Sequence, residues 1–308
     1  MTKTTSPASA RSTGRRGEEI TKILFVVPAA VAIVVLFGYP VVKNLVMSFQ
    51  DYTLATFFTG EAPWVGLQNF ATVVGDALFT KALVNTALFT AGSIAGQFAI
   101  GLALALFFHR NFPLNRVVRA LFLLPWLMPL IVGSAAWRAV LEQDSGILNV
   151  TLERLGIIDS PVPWLASSDV ALVSVILVNI WLGIPFNLTL LYSGLQDIPE
   201  ELYEAAALDG ATGWRSFRYI TWPNLREVVG IVLMLGVIYT LKVIDIILGL
   251  THGGPANATE TIATQSYERS FVEFKFGQGA ALSNILILIS LAFAVVYLRA
   301  TRRRIYES

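Results

Sequence analysis

Apolar residues in this chain fall in long uncharged runs, with the charges gathered between them. Ile23 to Val42, Ala82 to Phe108, Ala120 to Trp137, Val170 to Gln196 and Phe276 to Leu298 hold no charged side chain. A further run, Val228 to Leu250, is interrupted only by Lys242 and Asp245. A ~30 Å hydrocarbon core takes about 20 helical residues to cross, and each run approaches or exceeds that length. The pattern therefore predicts an all-α polytopic membrane protein. Its six transmembrane helices fall near residues 23–47, 82–108, 117–140, 169–193, 227–250 and 278–298. A cleavable signal peptide does not fit the first run, which is long and continues past Tyr39-Pro40.

Composition agrees. Of the 308 residues, 55% are hydrophobic and 14% charged, and mean hydropathy is +0.65. Soluble domains carry about 25% charged residues. The formal net charge of +1 gives no reason to expect a nucleic-acid partner. Without cysteine the chain has no disulfide, thiolate metal site or thiol nucleophile, and its histidines, His109 and His252, lie far apart. No metal site is expected.

Lysine and arginine set the orientation. Lys3, Arg11, Arg15, Arg16 and Lys22 share a side with Arg110, Arg116, Arg119, Arg215, Arg218, Arg226 and the run from Arg299 to Arg304. The opposite side holds Lys43, Lys81, Arg138, Arg154, Arg269 and Lys275. By the positive-inside rule both termini are cytoplasmic. Residues 1–18 are polar and Ser/Thr-rich and read as a flexible tail, leaving 19–308 as the membrane domain. Trp64, Phe70 and Trp164 in the outside loops are expected to pack on the membrane face.

The cytoplasmic loop at 197–226, between spans four and five, carries the most information. Asp197, Pro199 and Glu200 suggest a helix start, and Asp209-Gly210 a glycine stop. A second short helix follows, with Trp214, Phe217 and Ile220 on one greasy face and Pro223 as its end. Ala205 and Ala206 expose little side chain, so a partner backbone can approach closely. Glu204 beside them offers a carboxylate for an arginine. An interfacial loop that merely shields the bundle would look much the same on physics alone.

Glu204-Ala205-Ala206, Gly210, Ile220 and Pro223, at their spacing, resemble the EAA loop of ABC importer permeases. Trp222 stands where that family usually has leucine. Val65 to Phe70, Leu124-Pro125-Trp126, Gly146 to Asn149, Ile180-Trp181 through Pro185-Phe186, and Leu250 to Pro255 extend the resemblance to the carbohydrate-type, MalF-like subunits. It covers nearly the whole chain beyond the tail. The resemblance implies a coupling helix (Glu204, Ala205, Ala206, Asp209, Gly210, Ile220, Pro223) seated in an ATPase subunit. The implied partners are a second, MalG-like permease subunit, two ATP-binding subunits and an extracytoplasmic solute-binding protein, in a prokaryotic inner membrane. ATP and Mg would belong to the ATPase partners, since the chain has no Walker A loop. No cofactor is expected here, nor a catalytic site, for H-E-x-x-H and G-x-S-x-G are also missing.

Asn179, Gly183 and Phe186 lie at i, i+4 and i+7 in span four, and Gly236 and Thr240 at i and i+4 in span five. An amide, a gap and an aromatic ring suit a sugar, although small and amide residues also pack membrane helices. The resemblance places substrate contacts on this face, with Tyr239 close by. Lys242 and Asp245, three residues apart within a span, are expected to form a self-neutralising ion pair; lining the pathway is the alternative. Pro125, Pro129 and Pro185 are expected to kink spans three and four. The expected function is the transmembrane permease subunit of an ATP-driven importer for a sugar or related polyhydroxylated solute. A glycerol phosphate-type substrate in the same class, or a gradient-driven secondary transporter, are the alternatives.

Overall fold

The computed structural model describes Leu24 and residues 26–305. The expected tail at 1–18, with its basic residues, lies outside the described residues. The helices, in chain order, are α1 (Val26–Met47), α2 (Leu54–Thr59), α3 (Gln68–Val74), α4 (Ala77–Phe108), α5 (Asn115–Leu121), α6 (Leu124–Leu127), α7 (Leu130–Val140), α8 (Ile147–Arg154), α9 (Ala171–Gln196), α10 (Glu200–Leu208), α11 (Trp214–Leu241), α12 (Asp245–Leu250), α13 (Ile262–Tyr267) and α14 (Phe276–Ile305). Strand-like pairing among the described residues is confined to one bridge, Gln50 with Trp64. Among the described residues, five helices, α1, α4, α9, α11 and α14, are long and apolar enough to cross a bilayer.

The long α4 and α9 form the centre of the bundle. Their close approach depends on glycine. Gly92, Gly96 and Gly101 of α4 face Ile176, Ile180 and Asn187 of α9, and a Cβ at Gly96 or Gly101 would run into those neighbours. Small residues at such spacing let membrane helices gain dispersion contacts that lipid cannot replace. Phe108, Leu188, Leu191, Leu195, Leu225 and Val229 close the core at the end nearest the 197–226 loop. Phe89, Val175, Val178, Ile246 and Ile247 fill it at the other end. Helix α1 stands apart from this core. It packs on α14, where Asn44 donates to Asn284 at 3.3 Å.

The third expected span is not a single rod. It is divided into α5, α6 and α7, with Met128 extended between the last two. Pro125 opens α6 and Pro129 caps α7, so the prolines interrupt the span rather than merely kinking it, because neither can supply the backbone donor that a continuous helix needs. Pro185, by contrast, is accommodated inside α9.

On the face opposite the 197–226 loop, polar side chains tie loops to helix ends. Asn85 of α4 donates to the Ala258 and Glu260 carbonyls at 3.1 and 2.9 Å, and Lys81 to that of Ala256 at 2.7 Å. Asp76 caps α4 by accepting from Leu78 N–H at 2.8 Å and also pairs with Arg269. Phe70, half-buried, packs on Phe49, and Trp164, also half-buried, donates its indole N–H to Asn149 at 2.8 Å. Trp64 instead remains largely exposed.

Candidate functional site

The 197–226 loop forms a short exposed helix held by a closed C-terminal turn. Asp197 caps the end of α9 and does not start the next helix; Pro199 precedes α10, whose first turn carries Glu200 and Glu201. Gly210 has φ +77°, the left-handed conformation that glycine adopts without a Cβ penalty. Ala211 N–H returns to the Ala206 carbonyl at 2.8 Å and Gly210 N–H to that of Ala207 at 3.0 Å. Those two bonds make a Schellman cap. Ala206 and Tyr203 face inward, where the Tyr203 hydroxyl lies 3.1 Å from that of Thr221. Glu204, Ala205, Asp209 and Gly210 are exposed, and Leu208 is 91% exposed.

The second half of the loop differs from expectation. Trp214, Phe217 and Ile220 belong to the start of α11, which runs unbroken to Leu241. Trp214 and Phe217 stack with centroids 5.2 Å apart, and Ile220 packs on the core. Pro223 does not end a helix. Residues Phe217–Thr221 form a wide π-turn, in which Trp222 N–H reaches back to the Phe217 carbonyl. A widened turn makes room for the proline ring and absorbs the bond it cannot make.

Residues expected on the pathway face divide into a buried group and an aromatic edge. Asn179 is 5% exposed; its carbonyl accepts from Gln97 Nε2 at 2.9 Å, while its own Nδ2 is buried without a partner. Gly183 lies directly against the Gln97 amide. Gly236 and Thr240 are buried in α11, with Gly236 beside Ile94. Phe186 is half-buried and meets Tyr239 edge-on at 5.9 Å and Trp126 at 6.1 Å. Those two rings are 50% and 57% exposed, so the trio presents an aromatic surface outside the helix core.

Sequence reasoning passed over a polar row on α4, of which Gln97 meets this face and Thr86 instead accepts from Ile262 N–H at 2.9 Å. Thr86, Thr90, Ser93 and Gln97 are all buried and recur at four, three and four residues. That polar stripe at helical spacing in an apolar run was the available signal. The 420 Å³ cavity edged by Trp137, Trp164 and Trp181 is almost wholly apolar, and the Ser174 hydroxyl on its wall donates to the Trp164 carbonyl at 2.8 Å.

Lys242 and Asp245 are not an ion pair. The described pairs within 4.0 Å are Arg269 with Asp76 and Glu273, and Lys275 with Glu273. Helix α11 stops at Leu241 and α12 begins at Asp245, so the i, i+3 geometry that would face the two charges is lost. Lys242 Nζ instead lies 5.0 Å above the Tyr239 ring, a cation–π contact. Both charged residues are exposed on this chain.

Comparisons with known proteins give the family. Residues 97–305 match the model of the binding-protein-dependent transport system inner membrane component. The chain is 34% identical over 282 residues to the trehalose/maltose transport system permease protein MalF of Thermococcus litoralis, covering 91% of this chain and 93% of that one. It is 32% identical over 300 residues to the diacetylchitobiose uptake system permease protein DasB of Streptomyces coelicolor, covering 96% and 90%. Its fold resembles a chain of a bacterial alginate ABC transporter solved with an alginate pentasaccharide-bound periplasmic protein, with a TM-score of 0.81, 19% identity and coverage of 96% and 98%. The chain belongs to the binding-protein-dependent transport system inner membrane component family and is a multi-pass inner-membrane permease subunit of an ABC transporter.

Proposed function

We propose that this chain forms half of the translocation pathway of an ATP-driven importer for a sugar or related polyhydroxylated solute. Its loop at 197–226 transmits ATPase closure to the bundle. The chain crosses the membrane six times, counting the divided α5–α7 segment, with both termini cytoplasmic and residues 19–308 forming one permease domain. A MalG-like subunit supplies the other half of the pathway, two ATP-binding subunits sit on the inside, and a solute-binding protein docks outside. ATP and Mg belong to the ATPase subunits.

The observation that carries the coupling reading is the exposed ridge of α10. Glu204 and Ala205 stand in the open beside Leu208, on a helix whose end is locked by Gly210. Leu202 and Leu208 are both exposed on α10, which adds apolar area to the ridge. Glu204 can then meet an arginine and Ala205 allow close backbone approach. The solute class is supported by the Trp126–Phe186–Tyr239 surface beside the buried amides and hydroxyls of α4 and α9, and by the sugar-named relatives. Flat apolar faces of pyranose rings stack on aromatics while hydroxyls take the polar groups.

Lys242 favours a second reading within the same importer class. It lies beside the aromatic surface without a carboxylate within 4.0 Å, so an acidic or phosphorylated solute would find a cation there. Radiolabelled uptake into vesicles reconstituted with all partner subunits and the binding protein tests both. Uptake of neutral sugar that depends on ATP and on Glu204 supports the first reading. Exclusive uptake of an anionic solute selects the second, and transport without ATPase subunits overturns the importer assignment.

A further inference from the structure

We infer that a polar groove at the loop end of the bundle is a binding site for the headgroup of an anionic phospholipid. The groove encloses about 980 Å³ and is edged by Asn111, Asn115, Arg116, Arg119, Tyr192 and Gln196. It sits between the turn that follows α4 and the last turns of α9, on the membrane face that also carries the 197–226 loop. No carboxylate lines it, so its two guanidinium groups have no counter-ion of their own there.

Arg119 is held rather than loose, while Arg116 is exposed at the groove's edge. Arg119 lies over the Tyr192 ring with its guanidinium carbon 3.9 Å from the centroid, which fixes the plane of the fork. Tyr192 is anchored in turn, its hydroxyl accepting from Gln196 Nε2 at 3.2 Å. Asn115 secures the turn by donating to the Phe108 and Arg110 carbonyls at 2.7 and 2.6 Å. One donor and one acceptor in this wall are left over. Arg119 Nη1 and Asn115 Oδ1 are both buried without a hydrogen-bond partner. A stacked guanidinium with an unused N–H suits a phosphate oxygen, and an unused amide oxygen suits a hydroxyl. A glycerol headgroup on a phosphodiester carries both.

The surroundings point to a lipid rather than to a soluble anion. Leu114, which leads into α5, and Val117 and Leu121, four residues apart within it, are all exposed. They form an apolar stripe beside the arginines, so one molecule with a phosphate and acyl chains can satisfy groove and stripe together. Basic pockets between membrane helices on the positively charged face commonly hold anionic headgroups.

The test uses the full-length chain, delipidated in mild detergent and titrated with phosphatidylglycerol or phosphatidylcholine, with bound lipid counted by native mass spectrometry. Wild type should retain phosphatidylglycerol at a concentration at least tenfold below that needed for phosphatidylcholine. Arg119→Gln, and more so Arg116→Gln with Arg119→Gln, should abolish the preference, while Arg138→Gln on the opposite face leaves it. Arg116→Gln alone and Arg119→Lys serve as milder variants, and far-ultraviolet circular dichroism checks that each remains folded. Equal retention of the two lipids by wild type would overturn the proposal. So would full retention by the folded double variant. Displacement by millimolar inorganic phosphate alone would reassign the site to a soluble anion.

Discussion

The side-chain amide of Gln97 donates to the main-chain carbonyl of Asn179 at 2.9 Å, joining α4 to α9 in the middle of the bundle. Gly183 leaves the space that the Gln97 amide occupies. Asn179 therefore contributes its backbone to the helix interface, while its side-chain N–H groups have no partner there.

Asn179→Leu should leave stability within about 1 kcal/mol of wild type, because it removes a buried amide whose donors are unused and spares the carbonyl bond. If that amide reads solute hydroxyls, sugar uptake falls while melting temperature and basal ATPase activity hold. Gly183→Ala should displace the Gln97 amide and cost about 1 kcal/mol through the lost bond. Melting curves of both variants, read beside uptake, separate packing from recognition. Unchanged uptake in a well-folded Asn179→Leu protein removes this side chain from the pathway.

In the 197–226 loop, Gly210→Ala forces a Cβ into a backbone with φ +77° and should cost about 1–2 kcal/mol, local to the end of α10. Glu204→Lys touches an exposed residue and should not move the melting temperature. It should, however, reduce co-purification of the ATPase subunits. Pull-down with a tagged ATPase subunit is the check, and normal recovery with Glu204→Lys would sink the coupling reading.

Burial pushes the Glu260 carboxyl above its ordinary value, opposed in part by the hydrogen bond from Thr264 Oγ1 at 2.9 Å. A raised folded-state value means that the native loop holds its proton more tightly than the unfolded chain. The relative stability is thus fully present below the ordinary glutamate pKa and is lost as pH rises through the raised one. Glu260→Gln should be more stable than wild type at neutral pH and lose this portion of the pH dependence. Melting curves between pH 4 and 8 would show the two proteins converging at the acidic end.

Asp76 both caps α4 and pairs with Arg269. Asp76→Ala should therefore cost about 1–2 kcal/mol, mostly through the cap, since a partly exposed pair adds little. Asp76→Asn should recover most of that loss. A double-mutant cycle with Arg269→Ala measures the pair itself, and equal losses for Asp76→Asn and Asp76→Ala would contradict the capping role.

The five long apolar helices and the short helix α10 were legible in the sequence because both depend on nearly local physics. Burying a long uncharged run in lipid is set by its length and polarity, and a glycine after a helical pattern ends the helix whatever surrounds it. The Gly210 stop is found where the pattern puts it, and α4, α9 and α14 overlap their expected runs within a few residues. Helix breaks inside an apolar run are another matter. Whether Pro125, Pro129 or Pro223 divides a helix depends on which neighbours take up the freed backbone groups, and only the wide turn ahead of Pro223 lets α11 continue. The same holds for charge. Lys242 and Asp245 would meet on a continuous helix, yet the chain leaves the helix between them and Lys242 turns to Tyr239. The Gln97–Asn179 bond likewise joins residues 82 positions apart, and no spacing along one strand of text records it. Transfer into the membrane is a property of each segment alone; breaks, pairings and the faces that meet arise from contacts between segments, and those exist only once the bundle has packed.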